Sequence, residues 1–383
     1  MRYTWVKPRY YLCLLLAMPF GLGKPTDVIL EVFIIKALFL NEDLTLSLEE
    51  TEKPTLQNPT DAIIKVSAAS ICGSDIHFIT GEVALYPNDR FIIGHEGVGV
   101  VEEVGSMVTK FKPGDRVVIP AGIACGDCIQ CREGRIYACE MNTLFGHGRI
   151  KGNLPGLQSE YVRMPLADHN LVHIPDSVTD KEVLLVGDVL STGYIGVING
   201  KPQPGEDIAI FGAGPVGLCA VASAKLFSPS RIILVDLEDY RLEAGLKLGA
   251  THVINASTTD AAKEVRRITN GVGTQVSVDA AAFPETINNC LACTAKGGTV
   301  SVIGISPWKI EFNMGRMFFN NLTLVSGYTS LHEMEHLVKM IEFKRLDTTP
   351  IVTHEFKLSN ILEAYRVFQN RLDNCIKVMI VPD

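Results

Sequence analysis

Four cysteines that lie close together in the sequence are the residues best suited to bind a metal. They follow the spacing C-x2-C-x2-C-x7-C and are Cys125, Cys128, Cys131 and Cys139. Four thiolates on one short segment form a closed tetrahedral zinc site, which is structural because no position is open to substrate. Four cysteines can also hold an iron–sulfur cluster, but this spacing suits a zinc lobe better. We therefore predict a structural zinc in this segment.

A second set of reactive side chains is spread over three segments of the sequence. The segments are Cys72-Gly-Ser74-Asp75-Ile-His77, Gly94-His95-Glu96 and Gly187-Asp188. Cys72 and His95 are suitable zinc ligands, and a third protein ligand plus water would make an open, catalytic zinc site. A single cysteine or histidine is weak evidence, because it is more often an ordinary buried or surface residue. The hypothesis of a second metal therefore rests on the whole set.

The segment 208–236 carries the pattern of a dinucleotide-binding site. An apolar run, a G-x-G-x-x-G turn, a helical stretch and a second apolar run ending in Asp236 follow one another. The glycines allow a tight turn and close approach to a pyrophosphate, which the helix N-terminus then binds. Asp236 can bind ribose hydroxyls and would repel a 2′-phosphate, so NAD is favoured over NADP. The predicted cofactor-binding residues here are Gly212, Gly214, Pro215, Val216, Gly217 and Asp236.

Length and composition indicate a globular protein of two domains. The chain has 383 residues, of which 47% are hydrophobic and 20% are charged, so it can bury a large core. Its net charge of −8 argues against a general nucleic-acid-binding protein. Ten cysteines are too sparse for a disulfide scaffold, and their clustering favours metal binding instead.

The N-terminal residues share features with a secretory leader. Arg2, Lys7 and Arg9 precede an apolar stretch at residues 10–23, as in a signal peptide. The stretch is short for a membrane span, Pro19 interrupts it, and no clear A-x-A cleavage site follows. We expect an accessory or mis-started leader on a cytoplasmic enzyme without a membrane span, since export would expose the free cysteines to oxidation.

The secondary-structure pattern divides the chain into parts that must position these residues. Residues 36–185 contain short β-like runs between polar and proline-containing turns. Residues 186–326 alternate helical stretches with strands at 208–211, 232–235, 252–254, 276–279 and 299–303, which predicts a doubly wound parallel sheet. Residues 327–383 contain predicted helices at 333–343 and 359–369 and a closing strand at 376–381.

Taken together, the motifs resemble those of the zinc-containing alcohol dehydrogenases of the medium-chain dehydrogenase/reductase superfamily. The resemblance covers residues 36–383 and includes segments 71–75 and 94–96, the four-cysteine lobe, the glycine turn and Asp236, in the family's order. It implies an α/β fold with a GroES-like β-rich catalytic domain at 36–185 and a Rossmann NAD-binding domain at 186–326. Residues 327–383 would return to the catalytic domain. Residues 1–35 have no counterpart and form an extension of unknown role.

The resemblance also assigns the ligands of the catalytic zinc. Cys72 and His95 resemble two of them, and Asp75 resembles the carboxylate that orients the ligand histidine. Asp188 stands where many members have a cysteine and the bacterial-type secondary alcohol dehydrogenases have an aspartate. We expect Asp188 to be the third ligand, with Glu96 as the competitor, since this carboxylate can move onto the metal in related enzymes.

Four further residues receive roles from the resemblance. Ser74 resembles the hydroxyl that accepts the substrate proton, and His77 resembles the surface end of the proton relay. The alternative for His77 is a simple surface histidine. Arg241 is expected near the adenosine ribose, and Lys377 near the pyrophosphate. The alternative for Lys377 is a solvated charge on a strand.

The implied function is that of a zinc-dependent alcohol dehydrogenase with two zinc ions per subunit, one catalytic and one structural. A hydride would pass from a zinc-bound alkoxide to NAD+, giving an aldehyde or ketone, and the reverse. The partner would be a small alcohol or carbonyl compound, with no nucleic acid. Family members are dimers or tetramers, so we expect a homo-oligomer. The alternatives are a polyol, formaldehyde or threonine dehydrogenase, or a non-catalytic NAD(H)-binding protein.

Two other motifs are given little weight. The sequence H-E-x-x-H at residues 332–336 is typical of zinc proteases, but no further ligand segment stands out downstream. Cys290 and Cys293 form a CxxC, which can mark redox chemistry. They fall in a predicted helix at 287–295, where two small buried residues are the simpler interpretation.

Overall fold

The computed structural model describes residues 33–141, 143–305, 308–328 and 332–383. The predicted leader at residues 10–23 lies outside the described residues. Ile34–Asp383 forms one compact unit. Within the described ranges, no helix is long and apolar enough to cross a membrane.

Short strands, most of them antiparallel, dominate the first part of the chain. Several alternate buried and more exposed residues, as Tyr161–Met164 does, which is typical of a sheet with one face on the core. The strands are β1 (Ile34–Leu40), β2 (Leu46–Glu52), β3 (Ala62–Ser70), β4 (Phe91–Ile92), β5 (Glu96–Val104), β6 (Arg116–Ile119), β7 (Gly122–Ile123), β8 (Thr143–Leu144), β9 (Tyr161–Met164) and β10 (Val172–His173).

The middle of the chain forms a parallel sheet. In the described residues its strands are β11 (Asp207–Phe211), β12 (Arg231–Asp236), β13 (His252–Asn255), β14 (Thr274–Asp279), β15 (Thr294–Val302) and β16 (Thr323–Ser326). Their order is β13-β12-β11-β14-β15-β16, so the chain reverses direction across the sheet between β11 and β14. Doubly wound sheets bind ligands at the carboxyl ends of the strands at such a point.

The last strands return to the first sheet. β17 (Val352–Lys357) and β18 (Lys377–Val381) extend it, and its order is β10-β6-β5-β3-β18-β17, with β9 also beside β3. β18 pairs antiparallel with the end of β3. This pairing brings the C-terminal strand next to the segment that carries Cys72.

Helices pack around both sheets. They are α1 (Gly73–Ile79), α2 (Ile129–Arg132), α3 (Ala167–Asn170), α4 (Asp180–Val183), α5 (Ser191–Ile198), α6 (Pro215–Ala224), α7 (Asp239–Leu248), α8 (Ala261–Ile268), α9 (Pro284–Cys293), α10 (Met314–Asn320), α11 (Met334–Glu342) and α12 (Ile361–Gln369). A π-helical turn, Val186–Leu190, leads into α5. One buried cluster includes residues of both sheets and of this turn, among them Val98, Val189 and Ile210.

The predicted α/β fold is confirmed, with differences at the edges of elements. The parallel strands predicted from the sequence are present within a few residues, although β15 begins at Thr294 rather than at 299. The predicted helix at 287–295 is α9, which ends at Cys293. β16 is absent from the sequence prediction because its four residues are exposed or half-buried, which leaves too weak a pattern.

The glycine turn after β11 has the predicted conformation. Gly212 has φ +95°, in the region that favours glycine. A Cβ on Gly217 would lie 1.8 Å from the Gly212 carbonyl oxygen, whereas a Cβ on Gly214 would meet nothing within 4 Å. Gly217 is therefore required for packing of α6 on the turn. Gly214 caps α6 and leaves open space where a ligand can approach the backbone.

We expect the two glycines to respond differently to alanine. Gly217→Ala should lower the free energy of unfolding by about 1–3 kcal/mol or more, because backbone must move to admit the methyl group. Gly214→Ala should lower it by less than about 1 kcal/mol. Urea unfolding of both variants measures this difference. Equal destabilisation by the two substitutions would contradict the packing role assigned to Gly217.

Candidate active site

Three separate segments bring potential metal ligands together. Cys72 caps the N-terminus of α1, directly after the segment that leaves β3. His95 lies immediately before β5, and Asp188 lies in the π-helical turn. Ligand atoms of Cys72, His95, Glu96 and Asp188 all lie within 4.8 Å of one another. The dispersed set predicted from the sequence therefore converges in space.

The distances between these atoms suit a shared cation. Asp188 Oδ2 lies 3.6 Å from Cys72 Sγ and 3.4 Å from His95 Nε2. Ser74 Oγ lies 3.1 Å from the same His95 nitrogen. The Ser74 hydroxyl therefore lies beside the atoms that would hold a metal, within reach of a molecule bound to it.

A chain of buried polar side chains, hydrogen-bonded from Tyr365 to Asp75, reaches His95 through an ion-pair contact. Asp75 Oδ1 lies 3.3 Å from His95 Nδ1, and Asp75 Oδ2 accepts hydrogen bonds from the Cys72 amide at 3.0 Å and Gln158 Nε2 at 3.2 Å. The Tyr365 hydroxyl donates to Gln158 Oε1 at 2.8 Å. Carboxylates of this kind fix ligand histidines in metal sites. Gln158 and Tyr365 were not predicted, and no local motif marks them.

Glu96 is held by a cation rather than left free. Lys377 Nζ donates to Glu96 Oε1 at 2.6 Å and to the Ile71 carbonyl at 2.8 Å, and both side chains are fully buried. Burial raises the pKa of Glu96, and Lys377 partly offsets that rise. The alternative of a solvated charge at Lys377 is therefore wrong. Its predicted contact with a cofactor pyrophosphate stays a prediction, although Lys377 does line the cleft described below.

The side chains fit a zinc ion. A sulfur, an imidazole nitrogen and a carboxylate oxygen are the donors that catalytic zinc takes. Burial raises the pKa of the Cys72 thiol, and Glu96 raises it further, so a neighbouring divalent cation is what would favour the thiolate. Oε2 of Glu96 is buried with no hydrogen-bond partner, so one oxygen of the competing ligand is also available.

The four-cysteine lobe fits a second zinc. The Sγ–Sγ distances are 3.5 Å for Cys128–Cys131, 3.6 Å for Cys139–Cys125 and 3.9 Å for Cys125–Cys131. A tetrahedron with Zn–S distances of about 2.3 Å has edges of about 3.8 Å. Backbone N–H groups of Glu140 and Cys131 lower the pKa of Cys128 to about 6. Burial and Cys128 raise the pKa of Cys131, so the fit to a tetrahedral site rests on the distances between the sulfur atoms.

A cleft of about 1460 Å³ joins the predicted metal and cofactor residues. Cys72, His95 and Asp188 line it together with Gly214 and Val216 of the glycine turn. It is large enough for a dinucleotide and a small substrate. The predicted cofactor residue Asp236 lies at the turn, where its Oδ2 accepts from the Ala213 amide at 2.6 Å.

Two other predicted residues lie on α1 and α7. His77 lines the cleft and its Nδ1 lies 2.7 Å from Glu82 Oε2. Its side chain is 41% exposed, so it can exchange protons with solvent. Arg241 is half-buried on α7, and its Nε donates to the Tyr240 hydroxyl at 3.0 Å. Its contact with an adenosine ribose stays a prediction.

The H-E-x-x-H motif does not form a zinc-protease helix. α11 begins at Met334, so His332 precedes the helix. Both histidines contact the carboxylate of Glu333: His332 Nε2 lies 3.4 Å from Oε1, and His336 Nδ1 lies 2.9 Å from Oε2. Among the described residues, the groups with metal-binding geometry are the two sites above. Cys290 and Cys293 are fully buried, in agreement with the simpler interpretation of the CxxC.

Comparison with known proteins identifies the family. The sequence model of the alcohol dehydrogenase GroES-like domain matches residues 58–176, and that of the zinc-binding dehydrogenases matches residues 215–342. An alcohol dehydrogenase of Cupriavidus necator is 33% identical, over 91% of this chain and 99% of the relative. A sorbitol dehydrogenase of Bacillus subtilis is 34% identical, over 91% of this chain and 98% of the relative. The solved structure of alcohol dehydrogenase TADH from Thermus sp. ATN1 is 33% identical in sequence and has a TM-score of 0.86. The match covers 91% of this chain and 100% of that structure.

These matches place the chain in the zinc-containing alcohol dehydrogenases of the medium-chain dehydrogenase/reductase superfamily. It is an oxidoreductase with a GroES-like part and a Rossmann-type part. Zinc and a nicotinamide dinucleotide are the cofactors of this class, and the two metal-binding groups and the glycine turn fit them. The predicted family, fold class and enzyme class are confirmed.

We expect Asp188 and Glu96 to contribute differently to metal binding. Asp188→Asn should lower the zinc content of the catalytic site, because it removes the carboxylate oxygen that lies close to both Cys72 Sγ and His95 Nε2. Glu96→Gln should leave zinc content close to that of wild type, because Lys377 already holds this side chain. Zinc per chain after dialysis against a weak chelator measures both effects. Loss of zinc from Glu96→Gln alone would identify Glu96 as the third ligand.

Proposed function

We propose that the chain oxidises an alcohol to a carbonyl compound with NAD, using Cys72, His95 and Asp188 as ligands of the catalytic zinc. The observation that carries this proposal is the convergence of the three side chains in a cleft that also contains the glycine turn. When bound, zinc lowers the pKa of the alcohol hydroxyl as a Lewis acid, and NAD accepts a hydride from the carbinol carbon.

The chain's own residues remove the proton. Ser74 Oγ is positioned 3.1 Å from His95 Nε2, so it can take the hydroxyl proton of a molecule bound beside His95. Ser74 takes that proton only as it releases its own, and the acceptor in this proposal is His77, which lies three residues later on the same face of the helix. Its exposed imidazole can pass the proton to water. The products are the carbonyl compound, NADH and one released proton.

Asp236 supports a preference for NAD over NADP. Its carboxylate is already oriented by the amides of Ala213, Leu237 and Glu238. A 2′-phosphate on the adenosine ribose would meet this negative charge, whereas ribose hydroxyls can donate hydrogen bonds to it.

The relay is tested by removing the Ser74 hydroxyl. In Ser74→Ala we expect kcat/KM for alcohol oxidation with NAD to fall by at least about 100-fold, because the proton has no direct acceptor. Ser74→Thr keeps a hydroxyl and should retain most of the activity. Both variants should keep wild-type zinc content. The assay uses primary, secondary and polyhydric alcohols, with NAD and with NADP.

Three results would contradict the proposal. Full activity of Ser74→Ala would exclude Ser74 from the relay. Equal kcat/KM with NAD and NADP would contradict the argument from Asp236. Absence of turnover by the wild type on every alcohol and aldehyde, despite bound zinc and NADH, would favour a non-catalytic NAD(H)-binding protein.

We also propose that the chain forms a homo-oligomer through the outer edge of the parallel sheet. β16 is the last strand in the sheet order, so its outer backbone groups are unpaired in the described structure. α10, the helix that directly precedes β16 in the chain, carries two strongly exposed rings, Phe318 at 75% and Phe319 at 78%. A second copy of the chain would pair with the edge and cover these rings.

The oligomer is tested by introducing a charged side chain into the proposed contact surface between copies. Phe318→Glu should shift the molar mass in sedimentation equilibrium towards that of a single chain. Phe343→Glu, a substitution of a phenylalanine that is 66% exposed elsewhere, serves as the control and should not. A wild type that sediments as a monomer would contradict the proposal.

A cytoplasmic location is the last part of the proposal. Nine cysteines among the described residues form no disulfide bond. Eight of them, all except Cys375, lie in the two metal-binding groups or in the part of the chain that forms the parallel sheet. A reducing compartment keeps such thiols available. Cell fractionation checks this, and recovery of the protein outside the cytosol would contradict it.

A further inference from the structure

His147 occupies a fixed position beside the proposed metal ligands and has no role in the mechanism above. It lies on the loop between β8 and the 3-10 turn Gly148–Lys151. Its ring centroid lies 5.0 Å from that of His95 and 5.1 Å from that of Phe78, which it meets edge-on at 85°. The side chain lines the cleft next to the place where a substrate would bind.

The hydrogen bonding of His147 defines what its second nitrogen can do. Nδ1 lies 2.7 Å from the carbonyl oxygen of Phe145. A carbonyl oxygen only accepts, so Nδ1 carries the proton, and in the neutral ring Nε2 is an acceptor. Nε2 makes no hydrogen bond among the described residues, and it is not one of the buried side-chain atoms without a partner. It therefore opens onto the cleft.

The loop is locked to the segment that carries His95. Gly146 and Gly148 both have positive φ, at +63° and +53°. A Cβ on Gly146 would lie 2.4 Å from the carbonyl oxygen of Gly94, the residue before His95. The loop backbone is therefore packed directly against the segment that carries His95. A hydrogen-bond acceptor held close to the reacting centre can recognise one donor group on a neighbouring atom of the substrate.

We infer that His147 Nε2 accepts a hydrogen bond from a hydroxyl on the carbon next to the reacting carbinol, and so selects vicinal diols over simple alcohols. The inference rests on the proposed function. The second hydroxyl keeps its proton and is unchanged by the reaction, while the carbinol loses its hydride and proton as before. A neutral hydroxyl is favoured over an ammonium group because the ring is half-buried against Phe78, where an ammonium ion would lose its hydration.

The test compares three matched substrates. They are 2-butanol, 2,3-butanediol and 3-amino-2-butanol, which differ only in the group beside the carbinol. The wild type is compared with His147→Phe, which keeps a ring against Phe78 but has no acceptor, and with His147→Gln, whose amide oxygen can accept. His354→Phe is the control, because it removes a histidine outside the cleft, one whose ring stacks on that of Phe356 with the centroids 6.5 Å apart.

In the wild type we expect kcat/KM to be higher for the diol than for 2-butanol. His147→Phe should reduce that preference by about 3- to 10-fold, the usual value of one neutral hydrogen bond, with little change for 2-butanol. His147→Gln should retain part of the preference, and His354→Phe all of it. Zinc content should stay at the wild-type value in every variant.

Other results would overturn the inference in distinguishable ways. An unchanged diol preference in His147→Phe, or an equal loss in His354→Phe, contradicts the role of His147 and leaves the proposed function intact. If His147→Phe lowers kcat/KM more for 3-amino-2-butanol than for the diol, the recognised donor is an ammonium group. Absence of NAD-dependent turnover of all three substrates by the wild type would contradict the proposed function and, with it, this inference.

Discussion

Concentration of negative charge in one buried place is the constraint on which the proposed active site depends. Cys72, Asp188 and Glu96 offer anionic ligand atoms within 4.8 Å of one another and of His95. Like charges at that separation repel, and burial adds the cost of lost hydration. Lys377 balances one carboxylate at 2.6 Å. The remaining thiol, imidazole and carboxylate form a set that a divalent cation would stabilise.

The scaffold holds this charge cluster through contacts between distant parts of the chain. β18 pairs with β3, and so places Lys377 beside the segment that leads to Cys72. α12 supplies Tyr365, which acts on His95 only through Gln158 and Asp75. The π-helical turn that carries Asp188 leads directly into α5, which packs against α6 of the glycine turn. Metal and cofactor residues are thereby held on connected elements.

The sequence predicts the local features well and the long-range ones poorly. The cysteine lobe and the glycine turn are contiguous, so spacing alone indicates their chemistry. The Lys377–Glu96 pair joins residues 281 positions apart, and the Tyr365–Gln158 bond joins residues 207 apart, so no short pattern contains either. Lys377 shows the consequence, because a lysine on a strand is usually solvated and this one is fully buried. The roles assigned to the individual site residues stay predictions.

The central claim is that the zinc ion held by Cys72, His95 and Asp188 is required for catalysis, whereas the zinc ion of the cysteine lobe stabilises the fold. Its most direct test is to measure zinc per chain and NAD-dependent alcohol oxidation in one preparation each of wild type and Cys72→Ala. The account predicts about two zinc ions and activity in the wild type, and about one zinc ion, a folded chain and no activity in the variant. A variant that keeps both its zinc and its activity, or a wild type that is active with the lobe zinc alone, would contradict it.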